Sequence, residues 1–135
     1  MKITTLVQHL TMGNCFGKSD DLSSVKFSVD LQTTIERQIE REPVLIYSKD
    51  NCPHCISAKK LLFDKNVPHT VREINLEKNS IKKQAILFQI TNQKTLPIIF
   101  IAGTHIGGAQ ELRDMAKSGQ LRALLDDAGV PNDFY

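Results

Sequence analysis

Cysteine is scarce in this chain: Cys15, Cys52 and Cys55 are the three among 135 residues. An odd count with two residues in one motif does not make a secreted disulfide framework. Excess charge is lacking too, since 17 Lys and Arg against 15 Asp and Glu leave a formal +2. No basic tract is interleaved with aromatics, so nucleic acid is not an expected partner. No apolar run approaches the roughly 20 residues of a membrane-crossing helix. A second C-x-x-C or a histidine pair is missing as well, and His9, His69 and His105 stand singly. A zinc site, which would need two further ligands beside one C-x-x-C, is therefore poorly supplied, and no metal is expected. What is left is one domain of ordinary composition, 41% hydrophobic and 24% charged, with an expected home that is aqueous and reducing.

The chain turns on Cys52-Pro53-His54-Cys55, between the apolar run Val44-Leu45-Ile46-Tyr47 and a helical pattern opening at Pro53. That arrangement aims two sulfurs at a helix N-terminus, where the dipole and unpaired N–H groups favour negative charge. The first sulfur should ionise more easily than a free thiol. Thiolate is the attacking species in disulfide exchange, and the second sulfur stays within reach. A purely structural disulfide is disfavoured, because so short a loop gains little closure entropy.

Upstream, residues 1–29 read as a flexible extension, broken by Gly13, Gly17 and the Ser/Asp cluster after it. The stretch has no Arg and two adjacent Asp, which argues against a transit peptide. Gly13 and Cys15 would suit acylation only if translation began at Met12, so the expectation is a tail with an incidental cysteine. The expected compartment is cytoplasmic, ahead of a mitochondrial or lipid-anchored form.

Residues 30–130 read as the folded domain. Asp30 is the expected N-cap of a helix to about Arg41, with Leu31, Ile35 and Ile39 on its inner face. Val44–Ser48 reads as a central strand, Pro53 to Asn66 as a helix and His69 to Leu76 as an off-centre strand. Ser80 is the expected cap of a helix to about Asn92, with Ile81, Ala85, Phe88 and Leu87 inward. Ile98–Ile101 follows as a buried strand. A tight turn at Gly103-Thr104 and a short return strand at His105-Ile106 come next. Helices from Gln110 to Lys117 and from Leu121 to Gly129 close the domain, and Pro131 to Tyr135 reads as loose. The expected fold is α/β, a four-stranded mixed sheet sandwiched by helices.

Four features in order then carry a resemblance: Lys49 three residues before Cys52, Gln84 in the third helix, Thr95-Leu96-Pro97, and Gly107-Gly108 before the fourth helix. From about Pro43 to Leu125 the chain resembles a dithiol glutaredoxin of the thioredoxin-fold superfamily. The resemblance implies that Cys52 is the nucleophile and Cys55 the resolving thiol. It implies glutathione as co-substrate, with Lys49 and Gln84 at its glycine carboxylate and the Leu96 backbone at its cysteine. Thr95 and Pro97 would frame that contact, Pro97 in the position of the superfamily's cis-proline. Gly108, Ala109 and Gln110 would take the γ-glutamyl end at a helix N-terminus.

Two positions depart from the family pattern. His54 stands where relatives most often carry Tyr; a protonated imidazole there would stabilise the Cys52 thiolate, or the ring could simply wall the groove. Gln110 stands where many relatives have a hydroxyl or an acid, and Glu111 could supply that charge.

The implied activity is glutathione-dependent reduction of protein–glutathione mixed disulfides and protein disulfides by a monomer. Rival expectations are a thioredoxin served by a flavoprotein reductase, a periplasmic disulfide oxidase with the same C-P-H-C, and a cluster-sharing dimer. Gln84 with the Gly-Gly site, the lack of an inserted helical domain, and Pro53 argue against them in turn.

Overall fold

The computed structural model describes residues 22–134. Gly13 and Cys15, and the expectations attached to them, lie outside the described residues. Helix α1 (Leu22–Arg41) leads into β1 (Val44–Ser48), α2 (Pro53–Asp64) and β2 (Thr70–Glu73). A 3-10 turn (Ile74–Leu76) and α3 (Ser80–Thr91) follow. The hairpin β3 (Ile98–Ile101) and β4 (Thr104–Gly107), then α4 (Ala109–Ser118) and α5 (Gln120–Asp127), complete the order. The sheet runs β2-β1-β3-β4, with β1 parallel to β2 and antiparallel to β3. The expected four-stranded mixed sheet is therefore present, with β1 inside it and β2 at its edge.

Strand alternation divides the core. Leu45 and Tyr47 of β1 and Ile98 and Phe100 of β3 face α1 and α3, where Ile35, Ile39, Ile86, Leu87 and Ile90 close the layer. Val44, Ile46, Ile99 and Ile101 face the other way, onto Ala58 and Leu62 of α2, Leu112 of α4, and Leu121 and Leu125 of α5. Both faces are covered, so both strands are apolar save for Ser48 at the end of β1 and the Tyr47 hydroxyl. The Tyr47 hydroxyl donates to Gln38 Oε1 at 2.7 Å, which satisfies its one polar atom.

Several boundaries differ from the sequence reading. Helix α1 begins at Leu22, and Asp30 lies inside it, where its carbonyl accepts from Thr34 Oγ1. Lys82 sits 4.6 Å over the Phe27 ring, which ties the earlier turns to α3. The cap of α3 is Asn79 in a left-handed conformation (φ 60), with Ser80 already helical. Its inward stripe is Ile86, Leu87 and Ile90, while Ile81 is 83% exposed and Ala85 is exposed. Strand β2 stops at Glu73 and tightens into the 3-10 turn. The hairpin turn is Ala102-Gly103, both at positive φ, one residue earlier than expected. The tail is docked: the Asp133 N–H donates to Lys65 O at 2.8 Å, and Phe134 packs on the core.

Candidate active site

Strand β1 ends at Ser48, and three loop residues carry the chain to Cys52, which is the N-cap of α2. Asn51 takes a left-handed φ of 53 to make that bend, a conformation Asn tolerates better than most residues. Pro53 occupies the first helical turn, where it has no N–H to leave unpaired. The Cys52 sulfur then does what an N-cap oxygen does elsewhere, accepting from the Cys55 N–H at 3.3 Å. Its thiol also faces the Leu96 carbonyl, 4.0 Å away.

Cys52 is 4% exposed and Cys55 fully buried. Burial by itself would raise the Cys52 pKa. The Cys55 side chain and N–H, the Lys49 charge and the His54 N–H outweigh it and hold the thiol below its ordinary value. His54 thus acts on the sulfur through its backbone. Burial pushes the Cys55 thiol up, and its hydrogen bond to Cys52 adds to that rise. One sulfur is made acidic and its neighbour kept protonated.

A groove of about 310 Å³ is lined by His54, Thr95, Leu96, Pro97, Gly108, Ala109 and Gln110, seven of the residues singled out from sequence. The Leu96–Pro97 peptide is cis. Lys49 is exposed in the loop before Cys52 and Gln84 is half-buried on α3, and neither lines this groove. Gln93, Glu111 and Arg113 do. Arg113 reaches across from α4 to α2, donating to Ser57 Oγ at 2.9 Å and to Gln110 Oε1 at 2.8 Å.

Gln93 was not legible from sequence, yet it shapes the loop that carries Leu96. Its amide nitrogen donates to Thr95 O at 2.8 Å and to Pro97 O at 2.7 Å. Its carbonyl accepts from His105 Nε2 at 2.8 Å. A polar side chain just after a helix end carries no periodic signal, so only the fold reveals this clasp. Gly108 lies beside this clasp: a Cβ there would meet Gln93 Nε2 and Pro97 O at an ordinary contact distance of 3.5 Å.

The arrangement is an acidic sulfur beside a groove bordered by backbone groups and a helix N-terminus, a place suited to an extended ligand with a thiol and a carboxylate. Among the described residues, no group of three or more His, Cys, Asp or Glu is placed to hold a metal ion, and no helix is long and apolar enough to cross a membrane.

Comparison with known proteins identifies the family. The Glutaredoxin family pattern matches residues 44–106. The chain is 36% identical over 98 residues to a glutaredoxin of Ricinus communis, covering 73% of this chain and 96% of that one. It is 38% identical over 91 residues to the human protein named glutaredoxin-2, mitochondrial, covering 67% of this chain and 56% of the relative. Among solved structures it is similar to a buckwheat glutaredoxin–glutathione complex, with a TM-score of 0.72 at 26% identity, covering 84% of this chain and 97% of that one.

Proposed function

The chain belongs to the glutaredoxin family of thiol–disulfide oxidoreductases, and from that premise we propose that it uses glutathione to reduce protein–glutathione mixed disulfides and protein disulfides. The observation that carries the reading is the Cys52 sulfur, held acidic at the start of α2 and facing the Leu96 carbonyl beside the groove. The buckwheat relative was solved with glutathione, which supports the same occupant here.

In this reading Cys52 attacks the glutathione sulfur of a mixed disulfide, and the client leaves as a thiol. A second glutathione then attacks the adduct and departs as glutathione disulfide. The Leu96 backbone pairs with the peptide of the bound tripeptide, and the N–H groups around Ala109 and Gln110 take its γ-glutamyl carboxylate, with Glu111 near the ammonium. Lys49 and Gln84 meet the glycine carboxylate at the far end, beyond the groove's main body. Thr95, Pro97 and His54 form the walls. For a protein disulfide the client stays attached to Cys52 until Cys55 displaces it.

Cysteine variants test this with either glutathione or a thioredoxin reductase as electron donor. Glutathione should support turnover and the reductase should not. Cys55→Ser should retain removal of glutathione from a glutathionylated peptide while losing reduction of protein disulfides, and Cys52→Ser should lose both. Full activity in Cys52→Ser would overturn the mechanism. Fractionation of the native protein tests the cytoplasmic expectation against the mitochondrial setting named for the human relative.

A further inference from the structure

The end of α3 and strand β4 meet at one side chain, and that side chain holds the loop between them. Asn92 turns the chain at the end of α3 with a left-handed φ of 58. Thr91 Oγ1 then accepts from the Gln93 N–H at 3.2 Å while donating to Leu87 O at 2.6 Å, which ties the Gln93 backbone to the helix. From that anchored base the Gln93 carboxamide uses both its donors and its oxygen. The amide nitrogen donates to Thr95 O and Pro97 O, at 2.8 and 2.7 Å. The oxygen faces His105 Nε2 at 2.8 Å. An amide turned the other way would set its oxygen against two carbonyls, so the orientation is fixed and His105 carries a proton on Nε2.

His105 is itself held in place. It lies on β4 opposite Phe100 in the register with β3, and its half-buried ring tilts against that phenyl at 5.6 Å. Two residues on, Gly107 ends the strand, and α4 begins at Ala109. The Gln93–Pro97 hydrogen bond lies beside that helix start, since a Cβ on Gly108 would be 3.5 Å from both of its heavy atoms. The two tethered carbonyls flank Leu96, whose own peptide is left open toward the groove. Its carbonyl faces the Cys52 sulfur at 4.0 Å. Among the described residues its N–H has no hydrogen-bond partner.

We propose that Gln93 and His105 are positioning residues that set the spacing between the Leu96 peptide and the start of α4, and through it the preference for glutathione over cysteine alone. The inference rests on the reading of this groove as the glutathione site. A ligand that pairs with Leu96 and also reaches the N–H groups around Ala109 feels that spacing. One that meets only the Leu96 peptide does not. Loosening the clasp therefore weakens the tripeptide more than a single amino acid. The chemistry at sulfur is left alone, because the groups that act on the Cys52 thiol are Cys55, Lys49 and His54 and include neither side chain of the clasp.

Steady-state kinetics of the full chain on two forms of one peptide test this, its cysteine joined by a disulfide either to glutathione or to free cysteine. The parent should favour the glutathionylated form. Gln93→Leu keeps the bulk and removes the amide; it should raise the KM for that form by about three- to tenfold, the range for a lost hydrogen bond, with kcat near the parent. The cysteinylated form should change little, so the preference falls. His105→Phe, which keeps a ring without the donor, should shift the preference the same way by a smaller factor. His105→Gln, whose amide can donate in place of Nε2, should restore it. The Cys52 titration midpoint, followed by thiolate absorbance, should stay at the parent value in all three. An undiminished preference in Gln93→Leu or His105→Phe, or equal losses on the two peptides, would overturn the clasp. A parent that treats the two peptides alike would instead overturn the glutathione reading beneath it.

Discussion

Gly107 and Gly108 are adjacent and look alike in sequence, yet they do different work. Gly107 has φ +125, and a Cβ there would lie 2.8 Å from Glu111 Cγ and 3.0 Å from Glu111 Cβ. Glycine is required on both counts, conformation and space. Gly108 has an extended backbone at φ −103, and its added Cβ would meet neighbours at ordinary contact distance. Gly107→Ala should therefore destabilise the fold by about 2 kcal/mol and displace Glu111 from the groove, whereas Gly108→Ala should melt close to the parent and raise only the KM for glutathione. Denaturant unfolding of both variants checks this contrast. The sequence marks the pair as a place of close approach, but which of the two is obligatory depends on a φ angle and a neighbour's side chain.

Helix boundaries show the same division at the scale of elements. The C-x-x-C motif, Pro53 and the apolar run before them locate α2 because each signal is local and strong. The start of α3 misleads because Asn79 and Ser80 are equally good caps by composition. Here Asn79, like Asn51, Asn66 and Asn92, supplies a left-handed bend, which Asn accepts at low cost. The inward stripe of α3 is hard to read because the apolar Ile81 marks a different face from Ile86, Leu87 and Ile90 and is exposed, whereas Phe88 packs half-buried against the core as expected. Strand β4 and the loop before Pro97 are coupled through His105 and Gln93, a contact between residues far apart in sequence. Burial depresses the His105 pKa from 6.5, with the Glu111 charge partly opposing, and the ring tilts against Phe100 at 5.6 Å. The unfolded chain therefore binds the extra proton first as pH falls. Stability from this group is complete above about pH 6.5 and declines below it. His105→Gln should flatten the acid side of the stability profile measured by denaturant unfolding between pH 7 and 5, and an unchanged profile would contradict the assignment.

As a whole molecule the protein is legible because one sheet with two apolar faces needs helices on both sides, and strand alternation states which residues face which layer. The docked tail is not legible, because Phe134 has no periodic neighbours and its partners lie at Lys65 and in the second core layer. Ending the chain after Pro131 removes the Asp133 N–H to Lys65 O bond and the Phe134 contact, and should cost about 1–2 kcal/mol, seen as a melting temperature lower by several degrees. The larger consequence of the assembly falls on a single atom. Strand β1, the start of α2 and the loop carrying Leu96 converge on Cys52, and the Cys55 and His54 donors of α2 together with the Lys49 charge overcome the burial that would otherwise keep it protonated. Ultraviolet thiolate absorbance of the Cys55→Ser protein, followed against pH with and without Lys49→Gln, measures that balance directly. The midpoint should lie below the value near 8.5 of free cysteine and rise when Lys49 is neutralised. A midpoint at or above that of free cysteine, indifferent to Lys49, would contradict the account.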